Sequence, residues 1–236
     1  MLYRGYPIYY GFDWTYLLVI AAFVLSMIVQ GAMQSTFRRY SSVRSMSGMT
    51  GAQIAERILQ SEGLYSVRVQ PVAGNLTDHY DPSTKTVNLS QSVYGSTSLA
   101  AQGVAAHECG HAIQDAQSYA PLRIRSALVP AANFGSKFSW VLFIIGLLFS
   151  FSWLVKIGIL LFCLALAFQL VTLPVEFNAS HRAMQKLESL RLMYNDELGG
   201  ARKVLTAAAM TYVAAACASL LYLLRMLILS GGRRRD

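Results

Sequence analysis

From Phe138 to Leu173 the chain is apolar, interrupted at Ser150, Ser152 and Lys156. A bilayer-crossing helix needs about 20 residues, so this stretch is too long for one span and fits two closely spaced ones. The spacing predicts spans over 134–151 and 154–173 with a short link between them, a hairpin that returns the chain to the side it left. Whatever precedes residue 134 and whatever follows residue 173 therefore face each other on one side of the membrane.

The rest of the chain agrees with a membrane setting. Hydrophobic residues make up 54% and charged residues only 14%, with a mean hydropathy of +0.40, which excludes an ordinary soluble enzyme. Met1 to Asp13 is aromatic and nearly uncharged, and the run from Trp14 to Met33 is long enough to span. Its basic cluster, Arg38, Arg39 and Arg44, follows the apolar run, the reverse of a signal peptide, and marks an uncleaved anchor. The net charge of +8 sits beside apolar runs as topology anchors, so no nucleic-acid partner is expected. The three cysteines, Cys109, Cys163 and Cys217, have no paired spacing and predict no disulfide framework. Val204 to Leu229 fits either a fourth span or a helix packed along the membrane surface, with Arg233, Arg234 and Arg235 beyond it.

Between the anchor and the hairpin the composition is that of a small water-facing α+β domain. Thr50 is placed to cap a helix running to about Glu62, with Ile54, Ile58 and Leu59 as its apolar stripe and Gly63 as its stop. Tyr65 to Val72 and Thr86 to Ser90 alternate as strands, and Asp78 to Ser83 carries turn chemistry. His79 with Asp78 and Asp81 reads as a polar turn and not as a second metal site, because no spacing puts those groups on one face. A serine/threonine cap around Ser96 to Ser98 starts a further helix expected to reach about Tyr119, with Pro121 ending it.

That last helix carries His107-Glu108-Cys109-Gly110-His111. Residues four apart on a helix share a face, so His107 and His111 can each offer a ring nitrogen to one Zn2+. Zinc accepts neutral imidazoles and lowers the pKa of water, and Glu108 beside the metal is free to act as a base. The small uncharged neighbours Val104, Ala105, Ala106, Ala112 and Ile113 suit a helix packed inside a domain. Cys109 lies about 200° around the helix from His107 and is not expected to bind. After the hairpin, Pro174 suits the first turn of a new helix, and Glu176 on that helix is the expected third metal ligand, completing a site of two histidines and a glutamate. His181 is the candidate donor to the reacting carbonyl oxygen, and strand 86–90 could offer its edge to an extended substrate.

The motifs Leu76-Thr77-Asp78-His79-Tyr80-Asp81-Pro82, Val87-Asn88-Leu89-Ser90, Ala105 to Gln114 and Pro174 to Ser180, in that order, resemble the bacterial membrane zinc metallopeptidases of the YugP type. More distantly the chain is similar to the HtpX and CAAX-prenyl membrane proteases. The resemblance implies a gluzincin-like domain with His107, His111 and Glu176 as ligands and Glu108 as catalytic base. Ser180 stands four residues after Glu176, where those relatives carry aspartate, and Asp115 is a candidate to orient an imidazole in its stead.

The expected molecule is thus a mainly α-helical, multi-pass membrane protein with a small gluzincin-like zinc metallopeptidase domain. It divides into an N-terminal transmembrane anchor (1–36), the metallopeptidase domain (37–130), a transmembrane hairpin (131–173), the helix with the third ligand (174–203) and a C-terminal hydrophobic helix with basic tail (204–236). The expected function is a zinc-dependent endopeptidase of the bacterial cell membrane acting on peptides or membrane proteins. Arg38, Arg39, Arg123, Arg125, Arg182, Lys186, Arg202 and Lys203 share the catalytic side, which places it in the cytoplasm. The alternative is a zinc-binding membrane protein without proteolytic activity, a transporter or a scaffold. Transport is disfavoured because Gln91, Ser92, Ser96, Gln114, Asp115 and Gln117 make the His107 helix too polar at its ends to cross a bilayer. The physiological substrate and the oligomeric state leave no trace in the sequence.

Overall fold

The computed structural model describes residues 13–231. Expectations for the aromatic start and for Arg233, Arg234 and Arg235 lie outside the described residues. Among these residues, four helices are long and apolar enough to cross a membrane: α1 (Tyr16–Ser41), α5 (Ala120–Leu148), α6 (Ser152–Ser189) and α7 (Asn195–Gly231). The C-terminal apolar segment thus belongs to a helix with the length and composition of a fourth span. Its Arg225 has partners near the N-terminal end of α1, donating to the Thr15 hydroxyl at 3.2 Å and stacking 4.2 Å from the Tyr16 ring.

Helices α5 and α6 pack as a pair joined at 149–151, with Ser150 at φ +59°, and both extend beyond the expected 134–151 and 154–173, back to Ala120 and on to Ser189. Its helices approach closely at Gly158, where a Cβ would sit 2.8 Å from both the Ser139 carbonyl oxygen and the Phe143 nitrogen. Small residues at such a crossing let helices pack in lipid, where no hydrophobic drive holds them together. At the far end, Phe143, Val155, Phe162 and Met226 join α5, α6 and α7 in one apolar cluster.

Pro174 does not begin a new helix; α6 runs through it unbroken. Proline removes one backbone donor, whereas ending the helix there, between the buried Thr172 and Val175, would strand several more polar groups. Pro121 likewise does not stop the metal-motif helix. That helix, α4 (Leu99–Ala116), ends earlier, at a turn with Ser118 at φ +53°, and Pro121 lies in the first turn of α5, where its missing N–H is harmless.

Between α1 and α5 lie α2 (Gly51–Ser61), β1 (Arg68–Val72), β2 (His79–Asp81), β3 (Thr86–Ser90), a short α3 (Gln91–Tyr94) and α4. Thr50 and Gln53 close a reciprocal capping box on α2, and the Ser98 hydroxyl accepts from the Ala101 N–H to start α4. The first strand begins at Arg68, three residues later than its alternation suggests, yet Val67 and Val69 do pack on the core. The segment expected as a turn contains β2, which pairs antiparallel with β3, while β1 pairs with β3 in parallel. The sheet order β1-β3-β2 puts 86–90 in the centre, so it has no edge to offer, and the free edge nearer α4 belongs to β2. The core joins Ile54, Ile58, Val87 and Leu89 to Cys109, Ala112 and Ile113 of α4 and Ala183 and Leu187 of α6.

Candidate metal centre

Helix α4 is buried on nearly every face, and only Val104 and His107 are partly open between Leu99 and Gln114. It crosses α6 at Gly110, where a Cβ would stand 2.4 Å from the Ala179 carbonyl oxygen. Any side chain there would push the helices apart, so the glycine between the two histidines sets the distance to Glu176.

At that crossing, donor atoms of His107, His111 and Glu176 lie within 4.8 Å of one another, the group among the described residues able to hold a metal ion. Glu176 Oε2 is 3.2 Å from His107 Nε2 and 3.7 Å from His111 Nε2, with its side chain only 4% exposed. The rings meet edge to face, 4.8 Å between centroids.

The outer partners decide which ring nitrogens are available. Gln114 Nε2 donates to the Val175 carbonyl at 2.8 Å, which turns Gln114 Oε1 towards His111 Nδ1 at 3.0 Å. An amide oxygen only accepts, so Nδ1 carries the proton and Nε2 presents its lone pair. Ser180 Oγ lies 3.1 Å from His107 Nδ1 and can accept in the same way. Ser180 therefore occupies the orienting place itself. Asp115, expected as a substitute, does not: it binds Lys85 at 2.5 Å and the Tyr80 hydroxyl at 2.7 Å. These groups hold its carboxyl below the usual range although burial works the other way.

Two imidazole lone pairs and a carboxylate oxygen aimed at one point repel unless a positive charge lies among them. The His111 pKa reports this demand: burial lowers it, but Glu176, Glu108 and Gln114 together outweigh burial and raise it. Two neutral imidazoles and a carboxylate fit Zn2+ in ligand type and number.

Glu108 is buried in the same cavities, and among the described residues no donor engages its carboxylate. Cys109 points away, its Sγ 3.6 Å from the Ala55 carbonyl, and burial pushes its thiol pKa up. His79 contacts the Thr77 carbonyl and the Asn88 amide, as a polar structural residue would. His181 is exposed and lines neither cavity at the cluster, so the structure does not bring it to the metal side chains.

Two cavities meet at the cluster. One, about 300 Å³, runs between β2, with Asp78 to Tyr80, and α5, with Leu122, Arg125 and Val129. The other, about 150 Å³, is walled by Met33, Leu205 and Ala209, and Tyr212 lines both. Gln114, Arg125 and Tyr212 escaped sequence reasoning. Gln114 alone carried a signal, being three residues beyond His111 on the same helix.

No solved structure matches the chain. It is 50% identical over 216 residues to a Bacillus subtilis (strain 168) protein named "Putative membrane protease YugP", covering 91% of this chain and 96% of that protein. The family described as "Putative neutral zinc metallopeptidase" matches residues 15–231. The chain belongs to that zinc metallopeptidase family, whose cofactor is Zn2+.

Proposed function

We propose that the chain is a zinc-dependent endopeptidase of the bacterial cell membrane, with His107, His111 and Glu176 as metal ligands and Glu108 as general base. The single observation carrying this reading is the convergence of the three donors at the α4/α6 crossing with Glu108 in the same cavity. The membrane protease named above adds support from similarity. When bound, zinc supplies Lewis acidity that polarises the scissile carbonyl and acidifies water.

Glu108 takes a proton from the attacking water and later gives it to the leaving amine. Gln114 and Ser180 keep the imidazoles in the tautomer that leaves Nε2 free. An extended peptide adds antiparallel to the free edge of β2 and so passes along the cavity between β2 and α5. From the hairpin turn at residue 150 to Glu176, α6 rises about 39 Å at about 1.5 Å per residue. That exceeds a hydrocarbon layer of about 30 Å, so the site stands just outside the lipid opposite the turn, suited to peptides and to membrane-protein segments near the surface. The basic residues at that end favour the cytoplasmic side. The water-facing part is a gluzincin-like domain within 37–130, completed by the C-terminal part of α6.

The test compares protein termini in membranes carrying wild-type protein or Glu108→Gln. New termini confined to the wild type are expected; identical sets would remove the proteolytic reading.

A further inference from the structure

Arg125 on α5 faces the larger cavity opposite β2. Its guanidinium lies 6.0 Å from the Phe168 ring centre, and its Nη2 is 4.0 Å from Glu176 Oε1, too far for a hydrogen bond. Its Nε is fully buried and has no acceptor. A membrane-surface anchor would carry its head into water. A structural partner of Glu176 would close onto the carboxylate as a two-pronged pair at hydrogen-bonding distance. Arg125 keeps its Nε buried although 31% of its side chain is open at the cavity, it does not close onto the carboxylate, and its donors stay uncommitted beside the oxygen of Glu176 that turns away from the imidazoles.

We propose that Arg125 is a catalytic residue that donates to the oxygen of the scissile carbonyl as it becomes an oxyanion, the role that His181 is too exposed and too far around α6 to fill. This assignment rests on the peptidase reading above. When the oxygen of water bonds to the carbonyl carbon, the π pair moves onto the carbonyl oxygen, and Glu108 holds the proton released. When that pair returns, the C–N bond breaks, and the amine leaves with the proton, so peptide and water give a carboxylic acid and an amine. Negative charge therefore appears on one atom in a cavity that already holds a fixed cationic fork with free donors. A preformed donor of this kind acts mainly on the transition state and hence on kcat.

The experiment uses full-length, zinc-loaded protein in nanodiscs: wild type, Arg125→Met, Arg125→Lys and Glu108→Gln. The readouts are kcat and KM on dye-labelled casein, and bound zinc after dialysis. Arg125→Met is expected to lower kcat by about 10² to 10³ with KM within about threefold. Arg125→Lys should recover part of the loss, and both should keep wild-type zinc. Unchanged kcat, or a loss confined to KM, would overturn the proposal. Loss of zinc would make Arg125 a positioning residue for Glu176 instead. A wild type that cuts no faster than Glu108→Gln would overturn the peptidase reading itself, and this assignment with it.

Discussion

The two helices that meet at the candidate metal centre are held in opposite ways. Helix α4 is packed on almost all sides by the core it shares with α2 and the sheet, so His107 and His111 inherit their positions from many contacts at once. Helix α6 shows one buried seam, with Val175, Glu176, Ala179 and Ala183 on it and Phe177 exposed beside it. Glu176 thus reaches the histidines through the one face that α6 turns towards α4. The difference teaches that the histidine pair can survive damage that displaces the carboxylate, and changes along the seam should separate the two.

Gly110→Val should do so most severely. With only 2.4 Å available to a Cβ against the Ala179 carbonyl, the seam must open. Zinc and activity are expected to fall to background, with a stability loss of about 1–3 kcal/mol. Zinc analysis together with thermal unfolding checks this; a variant that kept full zinc would show that the crossing does not set the site.

The orienting groups come next. Gln114→Leu and Ser180→Ala should each weaken zinc affinity by about 10- to 100-fold. The glutamine change should be the larger, because its amide also donates to the Val175 carbonyl and to Asn178, joining α4 to α6. Ser180→Asp should tighten binding by making His107 more basic. Chelator competition ranks all three; equal affinities would break the link between the seam and the histidines.

The smallest effect belongs to the outer side of α4. Lys85→Met removes the charged partner of Asp115 and leaves the Tyr80 hydroxyl, and because the ion pair is partly open to water its loss should cost at most about 1 kcal/mol. The folded-state pKa of Asp115 is depressed, so its contribution is present above the unfolded value of about 3.9 and lost as pH falls through the folded value. Unfolding of the variant followed from neutral to acid pH should accordingly converge with wild type only at the acid end. A gap that persists there would assign the effect to packing.

The features legible in the sequence were those whose signal is local or set by length. The His107/His111 spacing, the Thr50 cap, strand 86–90 and the hairpin all follow from periodicity or from bilayer thickness. Glu176 was legible because a hairpin has to come back. What escaped depends on contacts between distant segments. Pro174 and Pro121 follow helix-terminus rules, but packing carries α6 through the first unbroken, while for the second the next helix used the proline as its own start. Strand β2 lies among turn-forming residues and exists because β3 offers it a partner. Arg125 resembles any interfacial arginine until α5 is folded back against Glu176.

The most direct test is zinc K-edge absorption of the zinc-loaded protein and of Glu176→Ala. The account predicts, for wild type, scattering from two imidazoles with nitrogen at about 2.0–2.1 Å and no sulfur, and a changed and weakly held site in the variant. A sulfur shell at about 2.3 Å, or identical spectra at full zinc in both proteins, would contradict it.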